Sequence, residues 1–502
     1  MSSGRMRDVR RDAGSYGGVS GAMFWQLEGI PGSAVAVVDQ AKGRSFTYDE
    51  LRAAADRFGA ACGADGKRLA LLFGPSTFET VAAYVGLLRA GHAVQLAPPD
   101  LDPVLCHRLI AAYRPDVVWP AACAPEDAYS AREVGEFGLV AFARVRYDGP
   151  APDPDLGVML PTSGSLGSPK YVRLTGGNVQ ANAESIVEYL EIGPDERALM
   201  SLPFSYSYGL SIVNSHLLAG ASFAITSRPI VMGGTWDFFR AQGCTSIAGV
   251  PPTYHALART GFLNRDLPTL RTMTQAGGKL AAVQVLRFHE YAAARGVRFF
   301  VMYGQTEASA RISYLPWDRL PEKAGSIGIA IPRGKLTVDG DAKAPGEKGE
   351  LVYSGPNVMQ GYATSRECLA KGDELGGVLR TGDLGYVDEE GFFFVTGRMR
   401  RFMKVFGVRT NLDELERALE EECRTSVACV GRDNQLAIVV ETREPKVAEQ
   451  VRALALQRYH FPPSLFSVQS MAALPLKSSG KKDYGPLEEA FLKPETNGNG
   501  QL

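Results

Sequence analysis

Residues Leu160–Val172 read LPTSGSLGSPKYV, and the reading of this stretch decides how the rest of the chain is understood. Apolar residues (Leu156, Val158, Met159, Leu160) lead in; the hydroxyls of Thr162, Ser163 and Ser165 then alternate with Gly164 and Gly167, and Pro169 and Lys170 close it. Glycines let a backbone turn tightly, and successive N–H groups in such a turn form a concave anion site. The hydroxyls add neutral donors, and Lys170 adds a point charge suited to phosphate. The stretch is either a phosphate cradle or an ordinary Ser/Gly/Pro surface loop. It is not the Walker loop, because no Gly-Lys-Ser/Thr follows the glycines.

The chain has 502 residues, too many for one ordinary core, so about two to four domains are expected. Its 45% hydrophobic and 22% charged residues are those of a globular protein. A net charge of -1 argues against nucleic acid as the main partner. The seven cysteines are dispersed, with no Cys-x-x-Cys and no Cys/His cluster of zinc spacing. Such a set fits a reducing, cytoplasmic location. No apolar run reaches membrane-spanning length. Residues 1–20, rich in Gly, Ser and Arg, lack the apolar run of a signal peptide and read as disordered or loosely packed.

From Ala34 onward strands alternate with helices, which implies parallel strands joined by crossovers. Ala34–Val38, Arg68–Phe73 and His92–Leu96 read as strands, with helices between them. Thr47 and Glu50 have capping-box spacing. After the opening stretch come a helix over Asn178–Leu190, a strand at Met200–Leu202, a loop at Pro203–Gly209 and a helix from Leu210. A strand at Thr245–Val250 is ended by Pro251 and Pro252. Arg271–Gln275 and Arg298–Met302 are strands running into Ala276-Gly277-Gly278-Lys279 and Tyr303-Gly304-Gln305-Thr306-Glu307. Small and polar residues thus recur just past strand carboxyl ends, where open α/β sheets bind ligands. From Lys335 short strands and Gly/Asp turns take over, and after Gly397-Arg398 the pattern is α+β.

Further stretches complete the set: Tyr303–Glu307, Thr381-Gly382-Asp383-Leu384, Gly397-Arg398 followed by Lys404–Arg409, and Leu474–Lys481. In this order and spacing, from about Ala34 to Tyr484, the chain resembles the adenylate-forming superfamily, and within it the acyl-CoA synthetase-like branch. The group also holds adenylation domains of nonribosomal peptide synthetases and luciferases. The resemblance implies an α/β fold. A large N-terminal domain of parallel-type α/β sheets would span 21–398, with a small β-rich subdomain at about 333–398. A small, mobile α+β C-terminal domain would span 399–490, and 491–502 would be a flexible tail. It also implies a reaction. A non-amino-acid carboxylic acid is activated with ATP and Mg²⁺ to an acyl-adenylate, releasing pyrophosphate. The acyl group then passes to a thiol, that of coenzyme A or of a carrier-protein phosphopantetheine. A nucleotide-binding regulatory homologue without ligase chemistry is the alternative from another class.

By resemblance, Thr162, Ser163, Gly164, Ser165, Gly167 and Lys170 would hold the β- and γ-phosphates. Gly277, Gly278, Lys279 and Tyr303 would border the adenine, with Gly304 and Gln305 beside them. Thr306 would contact the α-phosphate, and Glu307 the magnesium. Asp383 would take the ribose hydroxyls, with Arg398 nearby, and Lys481 would bridge the carboxylate and the α-phosphate. Arg400 would be the hinge between domain orientations; Lys404 and Gly407 would line the thiol tunnel. The chemistry accounts for these residue types, since a carboxylate attacking a phosphate is anion meeting anion and cations must converge. Read singly, Asp383 is a turn aspartate, Glu307 a helix-start carboxylate and Lys481 a solvated lysine.

Three residues depart from the commonest family pattern. Leu166 removes a donor, Tyr171 replaces a usual glycine, and Arg400 stands where relatives carry Asp or Lys. Tyr206 is either a gate at the substrate carboxylate or a core aromatic. Amino-acid-activating relatives usually place an Asp in this region to pair the α-ammonium; here no acidic residue occurs from Pro203 to Leu218, which argues against an α-amino acid. Ser207, Gly209, Ile212, Asn214, Val250, Pro251 and Ala276 are the remaining expected neighbours of the acid, mostly small or apolar. They suit an aliphatic, alicyclic or aryl acid.

Overall fold

A computed structural model describes residues 22–161, 170–339, 344–399, 402–405, 408–432, 435–459, 466–477 and 480–492. Two large sheets make up most of it. One has nine strands, and its centre is a parallel run in which Thr272–Gln275 lies between Ser246–Gly249 and Arg298–Tyr303. Arg197–Met200 continues that run on the far side of Ser246–Gly249. The other sheet has eight strands, with Leu69–Leu72 between Ala93–Leu96 and Val117–Trp119, all parallel.

Helices fill the space between these sheets, and their sequences say so. Phe78–Arg89 and Ser207–Leu218 are buried along nearly their whole lengths, the mark of a core helix rather than an amphipathic surface one. The helix Tyr48–Cys62 starts at the expected capping box: Thr47 accepts from the Glu50 N–H at 3.3 Å, and the Glu50 carboxylate accepts from the Thr47 N–H at 2.8 Å. Such a cap stabilises a helix by about 1 kcal/mol. Glycine brings this helix close to its neighbour, since a Cβ on Gly59 would stand 2.7 Å from the Gly86 carbonyl oxygen.

The structure adds detail to the expected pattern. Within the eight-stranded sheet Leu156–Pro161 pairs antiparallel with Tyr171–Thr175, so the opening stretch joins the two arms of a hairpin. Thr162–Pro169 lies outside the described residues. The strand expected at Met200–Leu202 is Arg197–Met200, and the helix expected from Leu210 begins at Ser207. Pro251 and Pro252 do end a strand, yet they also begin a helix, Pro251–Arg259, in which they hold the first positions. Proline fits there because its missing N–H would have had no helical partner.

Beyond residue 334 the chain forms a four-stranded antiparallel sheet from Lys335–Asp339, Gly349–Ser354, Val378–Val387 and Phe393–Arg398. A smaller α+β portion follows. It holds the hairpin Phe402–Val405/Val408–Asn411, a three-stranded sheet, and the helices Leu412–Cys423, Pro445–Tyr459 and Gly485–Phe491. Leu415, Leu419, Ile438 and Val451 are in the centre of its own core. No helix among the described residues is long and apolar enough to cross a membrane.

Candidate active site

Four parallel strands bring their carboxyl ends to one edge of the nine-stranded sheet, so the loops after Met200, Gly249, Gln275 and Tyr303 converge there. The close approach explains the glycines. A Cβ on Gly304 would collide with the Ala310 carbonyl. Gly277 has φ +81°, where side chains are strained, and a Cβ on it would stand 2.5 Å from the Tyr206 hydroxyl oxygen. Tyr206 is half-buried at the start of the helix Ser207–Leu218 and packs edge-on against Tyr208. Burial raises its phenol pKa, with Arg311 opposing the shift. One residue on, Ser207 Oγ lies 3.3 Å from Thr306 Oγ1.

Asp383 is buried across from these loops, at 2% exposure, on the long strand Val378–Val387 in register with Arg398. Three side chains donate to it. Tyr303 Oη (2.5 Å) and Gln305 Nε2 (3.0 Å) reach Oδ2, and Arg398 Nε (2.9 Å) reaches Oδ1. Gln305 also donates to the Thr381 carbonyl at 2.9 Å. Burial, and next the Asp383 charge, push the Tyr303 phenol well above its ordinary range, so it remains a donor. An ionised carboxylate offers about four lone-pair positions; three are occupied here by described side chains.

Glu307 accepts at Oε1 from Tyr362 Oη, 2.9 Å away. The ring of the same tyrosine carries the Lys170 ammonium over its face, 3.6 Å from the centroid, a cation–π contact. The reason lies in the sheet: Gly361–Ala363 pairs antiparallel with Tyr171–Thr175, which puts Tyr362 opposite Val172, two residues past Lys170. Tyr362 therefore joins the end of the opening stretch to Glu307. Sequence reasoning missed it, because a strand of three residues carries no periodicity to read.

Lys481 arrives from the C-terminal portion. It sits on a tight turn in which the Gly480 N–H donates to the Lys477 carbonyl and the Lys477 N–H to the Lys481 carbonyl, both at 2.8 Å. Gly480 has φ +75°, and a Cβ there would stand 3.1 Å from Val250 and 3.2 Å from Pro252. The turn is thus seated on the Val250–Pro252 corner, at the mouth of the converging loops. Its ammonium lies within electrostatic reach of Glu307 and Asp383, which favour the charge, and of Arg398 and Lys477, which oppose it. Burial is the largest influence and lowers its pKa.

Not every expected residue joins the cluster. Asn214 is removed from it, because its Oδ1 accepts from Tyr84 Oη at 3.1 Å within the packed helices. Lys279 is exposed, and its ammonium lies within electrostatic reach of Arg417, Glu421 and Glu420 of the C-terminal portion. Gly209 has a packing role: a Cβ there would collide with the Pro203 carbonyl. Thr162, Ser163, Gly164, Ser165, Gly167, Arg400 and Gly407 lie outside the described residues. Lys404 is placed by its backbone alone, in register with Arg409. Asp413 is a second residue the sequence did not single out; its Oδ2 accepts from the Arg398 N–H at 2.8 Å.

The arrangement sets Lys170, Arg398 and Lys481 around two carboxylates at the carboxyl edge of a parallel sheet. Similar chains are known. Feruloyl-CoA synthase of Amycolatopsis is 32% identical over 250 residues, 49% of this chain and 50% of that protein. Indoleacetate–CoA ligase of Aromatoleum aromaticum is 31% identical over 291 residues, 56% of each. The matched stretch therefore spans about half the length of these relatives. The fold matches that of o-succinylbenzoate CoA synthetase (MenE) of Bacillus subtilis with a TM-score of 0.72 at 21% identity, over 93% of this chain and 97% of that one. A family model for AMP-binding enzymes matches residues 23–363. That match takes in the four parallel strands whose ends converge, Glu307 and Tyr362, and with it the chain belongs to the AMP-binding enzyme family.

Proposed function

We propose that the protein is an AMP-forming acid–thiol ligase. It joins a carboxylic acid to the α-phosphate of ATP, releasing pyrophosphate, and then passes the acyl group to the thiol of coenzyme A. The observation that carries this reading is the seating of the Lys481 turn on the Val250–Pro252 corner at the mouth of the converging loops, with its ammonium within electrostatic reach of Glu307 and Asp383. A lysine from the far end of the chain, partly desolvated at the mouth of the converging loops, is placed to meet an anionic ligand there.

The residues divide the work. Asp383, held by Tyr303, Gln305 and Arg398, has about one acceptor position left for a ribose hydroxyl. Lys170, with the stretch it closes, takes the β- and γ-phosphates. Thr306 donates to the α-phosphate, and Lys481 stabilises the charge that builds as the carboxylate oxygen attacks there. Glu307 suits Mg²⁺, which is bound through one or two carboxylates plus substrate phosphates; Tyr362 occupies Oε1 and leaves Oε2. The ion would neutralise phosphate charge. Tyr206 and Gly277 border the acid. The relatives' names, feruloyl and indoleacetate, support an acid with a ring, and their CoA ligase activity supports coenzyme A as the acceptor.

The boundary between the large and small domains falls at about residue 398, and the small domain moves between the two half-reactions. The seven free thiols suit a reducing, cytoplasmic location. Acid-dependent ATP–pyrophosphate exchange over a panel of carboxylic acids, followed by mass spectrometry with coenzyme A present, tests the reading. Exchange with no acid in the panel would sink it.

A further inference from the structure

The helix Ser207–Leu218, with Tyr208 in the wall, and the strands Ser246–Gly249 and Thr272–Gln275 line a cavity of about 40 Å³. Arg311 lines it. Five residues after Thr306, this arginine is only 3% exposed, yet it has no carboxylate within ion-pair distance among the described residues. Its Nε is buried without a hydrogen-bond partner. Its guanidinium is over the Tyr208 ring, 4.2 Å from the centroid, with the Tyr189 hydroxyl beside it. A buried cation in this condition carries a large desolvation penalty, and a cation–π contact offsets only part of it.

The other polar groups of the cavity leave the charge unanswered. Glu196 is the one carboxylate in the lining, and it is engaged by Arg271 at 3.3 Å and by Thr245. Ser211 and Ser215 donate to the carbonyls of Tyr208 and Ile212, at 2.7 and 3.1 Å. His216 is held neutral by burial, its pKa lowered to about 4, and its Nδ1 lies 2.8 Å from the Ile212 carbonyl. Arg311 is therefore the only cation among the described lining residues. At roughly 10–15 Å³ per water, the space holds about three waters, the size of a small acidic group rather than of a ring.

We infer that the acid this enzyme activates carries a second anionic group, which enters the cavity behind Tyr208 and pairs with Arg311. The inference rests on the adenylation reading above. The first carboxylate meets Thr306 and Lys481; the body of the substrate passes Tyr206, Gly277 and Ala276; the far end reaches the guanidinium. An arginine fork matches carboxylate oxygens in pairs, so a carboxylate or a sulfonate is suited to the position and a neutral isostere is not.

The test is ATP–pyrophosphate exchange with matched acids: isophthalate and 3-sulfobenzoate against benzoate and isophthalate monomethyl ester, and adipate against hexanoate. In at least one set the acid with the second anion should be preferred about tenfold or more in kcat/KM, the size of a charge-assisted hydrogen bond. Arg311→Gln and Arg311→Lys should reduce or abolish that preference, chiefly through KM for the acid with the second anion. The comparison in the unaltered enzyme decides even where a variant folds poorly. Equal or better exchange with the neutral acids overturns the inference while leaving adenylation standing. Exchange with neither kind of acid overturns adenylation and this inference together.

Discussion

Tyr362 Oη donates to Glu307 Oε1 at 2.9 Å while the same ring supports the Lys170 ammonium. One side chain from a three-residue edge strand thus fixes a carboxylate proposed to hold metal and a cation proposed to hold phosphate. Partners that orient a metal ligand typically contribute 10–100-fold. Tyr362→Phe keeps the ring under Lys170 and removes only the donor. It should lower exchange about tenfold and raise the Mg²⁺ concentration needed for half-maximal rate. Tyr362→Ala should add a rise in KM for ATP. A Mg²⁺ titration of both variants checks this.

Lys481→Ala should abolish most adenylation, by roughly 10²–10³ in kcat, because it removes a donor aimed at developing charge. ATP binding, read by calorimetry, should change little. Lys170→Ala should behave oppositely: weaker use of ATP in the first step, with thiolation of a synthetic acyl-adenylate spared. Equal loss on the preformed adenylate would contradict the division of labour between the two lysines.

Burial lowers the Lys481 pKa below the ordinary lysine value of 10.5. Only the charged form stabilises the transition state, so exchange should fall as pH rises through the lowered pKa. The descending limb should begin below the range of an unperturbed lysine and move upward in Lys481→Arg. Stability has the other sign. The folded state binds this proton less tightly than the unfolded chain, so this group's contribution should improve as pH rises from the folded pKa toward the unfolded one. A pH–rate profile and a thermal melt across pH 7 to 10 separate the two effects.

Gly277→Ala places a methyl group 2.5 Å from the Tyr206 hydroxyl oxygen, at a φ of +81°. We expect about 1–3 kcal/mol of strain and a raised KM for the acid. Adding Tyr206→Phe removes the hydroxyl and should recover part of the acid binding but little of the backbone strain. Kinetics and melting of the two single variants and the double variant provide the comparison.

The parts legible in the sequence are those carried by local pattern. Alternating strands and helices, with small residues after each strand, placed Ala276–Gly278 and Tyr303–Glu307 at the carboxyl edge of a sheet. Thr47 and Glu50 announced their helix through a cap that needs four residues to read. What stayed hidden depends on partners far along the chain. Tyr362 matters because Glu307, 55 residues away in sequence, accepts its hydrogen bond. Pro251 reads as a stop because the local rule is the same for the end of a strand and the first turn of a helix. Arg311 draws no notice in the sequence, because only the fold encloses it. Asn214 looks like a polar group near a ligand until Tyr84 is found against it.

Arg398 is held twice, through its side chain on Asp383 and through its backbone N–H on Asp413. Only three residues separate it from Phe402, where the next hairpin starts. Four Cα steps span at most about 14 Å, so the connection is a short leash with a fixed post. If the C-terminal portion realigns as proposed, it must stay within that reach of Arg398, and the bond to Asp413, which lies on the moving side, would have to break. An acceptor in the proposed second step would then reach the site only through the orientations that this short connection allows.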